Sequence, residues 1–451
     1  MQLRLCGKRN VVGDRQEIKM NNIKKISVVV VGCGDRATTY LREGVLNFKE
    51  MEVAAAIDPN PERLKYMQEV FGVLPEHCYA HMDGVLEQGR IADCVIVGTM
   101  DQYHLETALP FLEQGYDMLL EKPVVNNKKD LLKIRDTAKR SGSRLMICHV
   151  LRYAPFYKKI KELIMKGAVG EIMNIQTSER VGAFHSSVSY IRGKWNSTKE
   201  CNSSFLLAKC CHDIDLLCWL NNGTTPVSVS SMGGRDYFIE EKAPKGSGTR
   251  CLVDCPKEIR EKCIYDVQNM YLDNCQIPQY PWQCTGKNYQ DVTKEEKIES
   301  LKTYNPHGKC IYKAGGDIVD HQNVMVEFEN GSTAVHTLNL GAMRPGRSIW
   351  IQGTEGEIEG WVNDDHIMLR KYDRLTSCYF EEKVMIENEA GIRDAHFGGD
   401  RGLVREFCNM MQGKEASVSR TIIDDSIVGH LLCYAADEAM ETESIIAVTD
   451  K

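Results

Sequence analysis

The sequence has no stretch approaching the ~20 consecutive apolar residues of a membrane span. Its first apolar run, Ile26 to Val31, is too short for the core of a signal peptide and ends in Gly32 rather than in a cleavage site. Nor is there a surplus of positive charge: 56 Lys and Arg stand against 63 Asp and Glu, a formal net charge of −7. These absences argue against a membrane protein, a secreted protein and a sequence-wide binder of nucleic acid or anionic lipid, and they point to a cytoplasmic chain. The 18 cysteines would suggest a disulfide framework in a small secreted protein, but 451 residues can bury a sizeable core without staples. With 43% hydrophobic and 26% charged residues, the composition is that of an ordinary globular protein. At ~150 residues per domain it suggests two large or three smaller units.

Residues 1–22 carry Arg4, Lys8, Arg9, Arg15 and Lys19 without apolar periodicity and are expected to form a disordered extension. Met20 is an alternative start, and Asp14 and Glu17 argue against a transit peptide. Beyond them the pattern becomes regular. Ile26 to Val31 is a β-branched run of the kind buried on both faces of a sheet. It leads into Gly32-Cys33-Gly34-Asp35-Arg36-Ala37, a G-x-G-x-x-A turn. In such a turn the first glycine makes the bend, the second lets backbone approach a pyrophosphate, and the small third residue lets helix pack on strand. The helix that follows offers its N-terminal N–H groups to phosphate. A second strand, Glu52–Ile57, ends at Asp58, about where an acid that bonds the ribose 2′-hydroxyl is expected. Such an acid favours NAD over NADP; Asp58 can also cap the helix opening at Pro59-Asn60-Pro61. Strand-like runs at Asp93–Gly98, Asp117–Glu121 and Arg144–Cys148 alternate with helical runs at His104–Gly115 and Lys128–Ser141. This alternation indicates a doubly wound parallel sheet, with ligands at the carboxyl ends of its strands, where Gly32, Asp58, Thr99, Glu121 and His149 fall.

The strand-GCGDRA turn, Thr99-Met-Asp101-x-x-His104 and Glu121-Lys122-Pro123 together resemble the Gfo/Idh/MocA family of nicotinamide-dependent oxidoreductases of sugars and cyclitols. Arg152-Tyr153-x-Pro155, Gly167-x-x-Gly170-Glu171-Ile172 and Asp320-His321-Gln322 extend the resemblance over about residues 25–230 and 315–440. It implies an α/β protein: an N-terminal Rossmann domain at 23–150, and a C-terminal α/β domain at 151–451 with a large, mostly antiparallel sheet. The open face of that sheet is expected to make a homodimer or homotetramer. Strand-like runs at Val324–Phe328, Thr333–Leu340, Ser348–Gln352 and Glu357–Trp361, divided by glycine-containing turns, are compatible with it. The resemblance further implies NAD(H) contacts from Gly32, Gly34, Asp35, Arg36, Ala37, Asp58, Thr99, His104, Glu121, Lys122 and Arg152.

Oxidising a hydroxyl needs a hydride acceptor and a base for the proton. By resemblance, Lys122 and His212 are the catalytic pair. A buried lysine beside a cationic nicotinamide has its ammonium disfavoured and can accept a proton near neutral pH. The family often carries Asp four positions before the histidine; this sequence has Ala208 there and Lys209 next to it. That departure puts the acid–histidine relay in doubt and suggests a substrate with an anionic or strongly polar group. Lys209 can equally pair with Asp213. Tyr153, Arg192, Trp195, Lys209 and Asp215 are the expected substrate contacts, with His185 and the rest of Val181–Asn202 as a capping loop. The expected reaction is hydride transfer between nicotinamide and a hydroxyl of a sugar, sugar derivative or cyclitol. Two alternatives stay open: glycoside cleavage or epimerisation assisted by a tightly bound, recycled NAD, and a non-catalytic NAD-bound regulatory protein.

Residues 233–315 fall outside the family resemblance. They hold Cys251-x3-Cys255-x7-Cys263, then Cys275, Cys284 and Cys310. In a reducing compartment, clustered cysteines are more often metal ligands than disulfides. Cys251, Cys255, Cys263 and Cys310 are the candidate ligands of a structural zinc ion. The alternatives are reduced cysteines packing as small hydrophobes, or disulfides.

Overall fold

The computed structural model describes residues 24–387 and 395–448; the expected N-terminal extension lies outside them. Six strands form the first sheet: β1 (Ile26–Val31), β2 (Met51–Ile57), β3 (Cys78–Tyr79), β4 (Cys94–Val97), β5 (Asp117–Leu120) and β6 (Leu145–Ile147). All pairings are parallel and the order is β3-β2-β1-β4-β5-β6, the doubly wound arrangement of a dinucleotide-binding fold. Val28–Val30 and Cys94–Val97 are fully buried, because helices cover both faces. The helix Lys128–Ser141 begins where Asn127 accepts the Asp130 N–H at 2.9 Å. It ends at Gly142 in the left-handed conformation, and buries Leu131, Ile134 and Ala138 against the sheet.

The second sheet contains β7 (Ile172–Gly182), β8 (Pro226–Gly234), β9 (His321–Phe328), β10 (Thr333–Ala342), β11 (Gly346–Gly353), β12 (Gly356–Trp361), β13 (His366–Asp373), β14 (Cys378–Met385) and β15 (Ile446–Ala447). Its order is β14-β13-β12-β11-β7-β10-β9-β8-β15; only β7 and β10 run parallel. Along β9, Gln322, Val324, Val326 and Phe328 are buried while Asn323, Met325 and Glu327 are exposed, so one face carries the core. The helix Cys211–Leu220 lies on that inner side and is buried at all ten positions.

The chain does not divide as simply as 23–150 and 151–451. The helix Gly399–Met411 returns to the first sheet, where Leu403, Val404, Phe407 and Cys408 share a core with Val28, Val30, Met146 and Cys148. The helix Ile423–Thr442 packs Ile423, Ile427 and Leu431 on the other face of the same sheet and continues to β8. Its entry is fixed by backbone: the Ile147 N–H donates to the Thr421 carbonyl at 2.8 Å.

The segment between β8 and β9 is irregular, but it is no separate module. Tyr271, Trp282, Leu301 and Ile311 are buried in the same apolar cluster as the strands of the second sheet. Trp282→Ala should therefore destabilise the whole protein, by about 3–5 kcal/mol. Urea unfolding followed by far-UV circular dichroism should show one transition shifted to lower denaturant. An unchanged main transition preceded by a small separate one would mean that the insertion folds on its own.

Candidate active site

The carboxyl ends of the strands of the first sheet make one edge. Gly32 has φ +83, and a Cβ there would lie 2.8 Å from the backbone of Gly98 and Thr99, so only glycine fits the bend. Gly34 differs: a Cβ would meet nothing nearer than the Arg63 guanidinium, at 4.0 Å. What Gly34 leaves room for is not protein, as a pyrophosphate cradle requires. Ala37 is fully buried and packs on Gly98, where an added Cβ would lie 3.0 Å away; this is the close helix–strand contact expected of the third position. Asp58 is buried and accepts the N–H groups of Cys33 and Asn60, both at 2.8 Å, and a bond from Arg63 at 3.2 Å. It does not cap the next helix; Asn60 does, accepting the Glu62 N–H. Asp35 is exposed in the first turn after Gly34, and the Thr99 hydroxyl lies 3.1 Å from that of Thr107.

The peptide that carries Lys122 is held from several sides. Glu121 accepts from Arg36, from the Tyr40 hydroxyl and from the Lys122 N–H. Pro123, joined by a cis bond, faces His104 Nδ1 through its carbonyl at 2.7 Å. The Val124 N–H donates to His430 Nε2 at 2.9 Å, and Tyr434 donates to the Val125 carbonyl at 2.6 Å. His430 therefore carries its proton on Nδ1, which faces the Ser426 carbonyl. Lys122 Nζ then reaches out of the first sheet and donates to the Ala208 carbonyl at 2.7 Å.

That contact joins the two halves of the site. His212 lies one turn beyond Ala208; it is buried and its Nδ1 has no partner. Its ring stands 5.8 Å from that of His149 and 6.0 Å from that of His396. Lys209 does not pair with Asp213: Asp213 is held by Arg347 at 2.7 Å, while Lys209 lies 4.0 Å from Glu179. Trp195 is half-buried beneath Lys194, whose Nζ is 4.2 Å from its ring centre. The His185 ring lies 5.4 Å from that of Tyr190.

Several expected contacts are corrected. Arg152 and Asp215 bond each other through two hydrogen bonds, at 2.7 and 2.5 Å, and both are buried. Neither is available to cofactor or substrate. Tyr153 is buried and bonded to Thr421. Arg192 is 1% exposed and donates to the carbonyls of Lys309 and Tyr265 and to Ser187. It belongs to the insertion, not to the cleft. His104 has each ring nitrogen against a carbonyl, of Pro123 and Thr99. It shapes the edge from below. Glu121 and Arg36 are likewise engaged, Arg36 also with Asp400.

The reading from sequence placed His149 at the ligand edge but gave it no role, and it missed His396, His430, Arg347 and Asp400. Their places depend on chain crossings that no local pattern records, although His149 does end a strand. Among the described residues, the one set of three ligand atoms within 4.8 Å of one another is Cys210, Asp213 and His336. Arg347 is bonded to both oxygens of Asp213, so that carboxylate already has its counter-ion and its acceptor sites are engaged. No described helix is long and apolar enough to cross a membrane.

Comparison with known proteins agrees with this fold. Residues 26–149 match the oxidoreductase family described by its NAD-binding Rossmann fold, and residues 157–243 match a GFO/IDH/MocA C-terminal domain. The oxidoreductase YteT of Bacillus subtilis (strain 168) is 25% identical over 398 residues, 84% of this chain and 88% of that protein. An inositol 2-dehydrogenase of Streptomyces avermitilis is 27% identical over 204 residues, 43% of this chain and 53% of its own length. Levoglucosan dehydrogenase in complex with NADH superposes with a TM-score of 0.68 at 16% identity, covering 94% of this chain and all of that one; it shares the fold.

Burial dominates the electrostatics of the site. It lowers the pKa of His149 and His212 well below the ordinary imidazole range, with the Lys122 charge adding to the effect, and lowers His430 to about 3. These rings are neutral in the native protein. Below pH ~6.5 the unfolded chain binds protons that the native state refuses, so stability falls as pH falls toward the native pKa values. The urea midpoint should decline steadily from pH 6.5 to 4, with His430 alone removing on the order of 2 kcal/mol at pH 5. A midpoint constant across that window would mean that the rings are solvated.

Proposed function

The chain belongs to the Gfo/Idh/MocA oxidoreductase family, and from that premise we propose that it is an NAD-dependent dehydrogenase of sugar, sugar-derivative or cyclitol hydroxyls. Lys122 and His212 are its catalytic pair. The observation that carries this reading is the hydrogen bond from Lys122 Nζ to the Ala208 carbonyl, which brings a lysine at the edge of the first sheet next to the helix that opens at His212.

Bound NAD supplies the hydride acceptor. The chain supplies the rest. Gly32, Gly34 and Ala37 leave a cradle at the N-terminus of the first helix; Asp58, at the end of β2, is 1% exposed and holds the Cys33 and Asn60 N–H groups and Arg63, so it fixes the turn beside the cradle. Neutral His212 has a free lone pair for the hydroxyl proton of the substrate. Lys122, with two further donors beyond the one given to Ala208, holds the same oxygen as charge develops on it. The acid usual four positions before the histidine is replaced by a backbone carbonyl that orients Lys122 instead. Lys209, only loosely matched by Glu179, and Trp195 are suited to a polar sugar substituent and a sugar face.

The Lys122→Ala variant should lose about 10²–10⁴-fold in turnover while retaining NAD affinity by calorimetry. Full turnover would remove Lys122 from the mechanism. With the true substrate, reduced cofactor should accumulate in step with product; product without it would replace net dehydrogenation by the recycled-NAD reading.

A second copy of the chain is proposed to cover the outer face of the second sheet. Gln176, Arg180, Trp350, Trp361 and Arg370 line a broad concavity there. Light scattering should give a dimer or tetramer, and Trp350→Glu should shift it toward monomer. An unassociated wild-type chain would overturn this.

A further inference from the structure

We propose that Cys251, Cys255, Cys263 and Cys310 bind one zinc ion, which ties together the two ends of the irregular insertion between β8 and β9 beside Arg192. This inference is independent of the roles given to Lys122 and His212.

The four cysteines come from separate parts of an irregular segment, yet all four line one small cavity of about 10 Å³, together with Arg192 and Asp266. That is room for about one water-sized atom. The other two cysteines of the insertion, Cys275 and Cys284, do not line it, so the convergence is selective.

The backbone explains how the thiols meet. Cys251 donates its N–H to Gly308 at 3.1 Å and Cys310 donates to Thr249 at 2.7 Å, on either side of an antiparallel bridge between Arg250 and Lys309. Residues flanking a bridge share one face of the ladder, which puts Cys251 and Cys310 on the same side. The Asp254 carboxylate, accepting the N–H groups of Thr249 and Arg250, closes the turn that leads to Cys255.

Charge supplies an independent reason. Arg192 is 1% exposed, and no carboxylate pairs with it among the described residues; its partners are carbonyls, the Ser187 hydroxyl, Cys251 Sγ at 3.7 Å and the Tyr271 ring, 5.8 Å from the guanidinium. Asp266, at the same cavity, is taken by Arg260 at 2.8 Å. A buried guanidinium without a counter-ion is costly. Four thiolates around a dication carry a net charge of about −2, which answers it. No three of these sulfurs lie within 4.8 Å of one another, so Zn–S bonds of ~2.3 Å would draw the side chains inward on loading.

The test is metal content, read apart from activity. Full-length protein purified without chelator should carry about one zinc per chain by mass spectrometry of the metal. Replacement by cobalt should give thiolate-to-metal charge-transfer absorption. Cys255→Ser and Cys263→Ser should each lose the metal, and Cys284→Ser, an exposed residue outside the cavity, should keep it. If the first two fail to fold, titrating the wild-type chain with a mercurial should release the zinc in step with the capping of four thiols per metal, beyond those that react without zinc release. Protein from zinc-supplemented cells with no metal and four freely reactive thiols would overturn the proposal. So would a disulfide among the four, an iron–sulfur chromophore, or metal retained in both serine variants.

Discussion

Charge placed between the two sheets must be neutralised where it stands, because water cannot reach it. Three arginines do most of this. Arg152 clamps Asp215, Arg347 holds Asp213 and Glu179, and Arg36 ties Glu121 to Asp400. Each pair joins elements distant in sequence. The helix that opens at His212 can be buried on every side only because both of its aspartates are answered by guanidinium groups.

The same pairs mark where sequence stops being informative. Lys122 and His212 stand in recognisable motifs, and the glycine turn after β1 is legible because only certain residues survive its geometry. Arg152, Asp215 and Arg192 also look like binding residues in sequence: polar, close to motifs and near strand ends. Whether an arginine meets a ligand or an aspartate sixty residues away depends on tertiary contact, which no local pattern encodes. Strands of the first sheet are readable as β-branched runs because both faces are buried. The central strand of the second sheet, β7, is not. Asn174, Gln176 and Arg180 interrupt its apolar positions, since one face is open, and the buried Glu179 has its own counter-ion.

Cysteine follows the same division. Cys33, Cys94, Cys148 and Cys433 are buried within apolar patterns and act as small hydrophobes. Cys251, Cys255, Cys263 and Cys310 differ from these in lining one cavity beside Arg192, which sequence spacing alone does not show.

The return of the last helices to the first sheet bears on the order in which the molecule can be made. The strands that carry the glycine turn and Lys122 leave the ribosome early. Part of their core is Leu403, Phe407 and Ile427, and the Lys122 peptide is held by His430 and Tyr434. The first unit therefore stays unfinished during synthesis until nearly the whole chain has emerged, and a ribosome stalled in the insertion leaves a Rossmann sheet with apolar flanks open to chaperones.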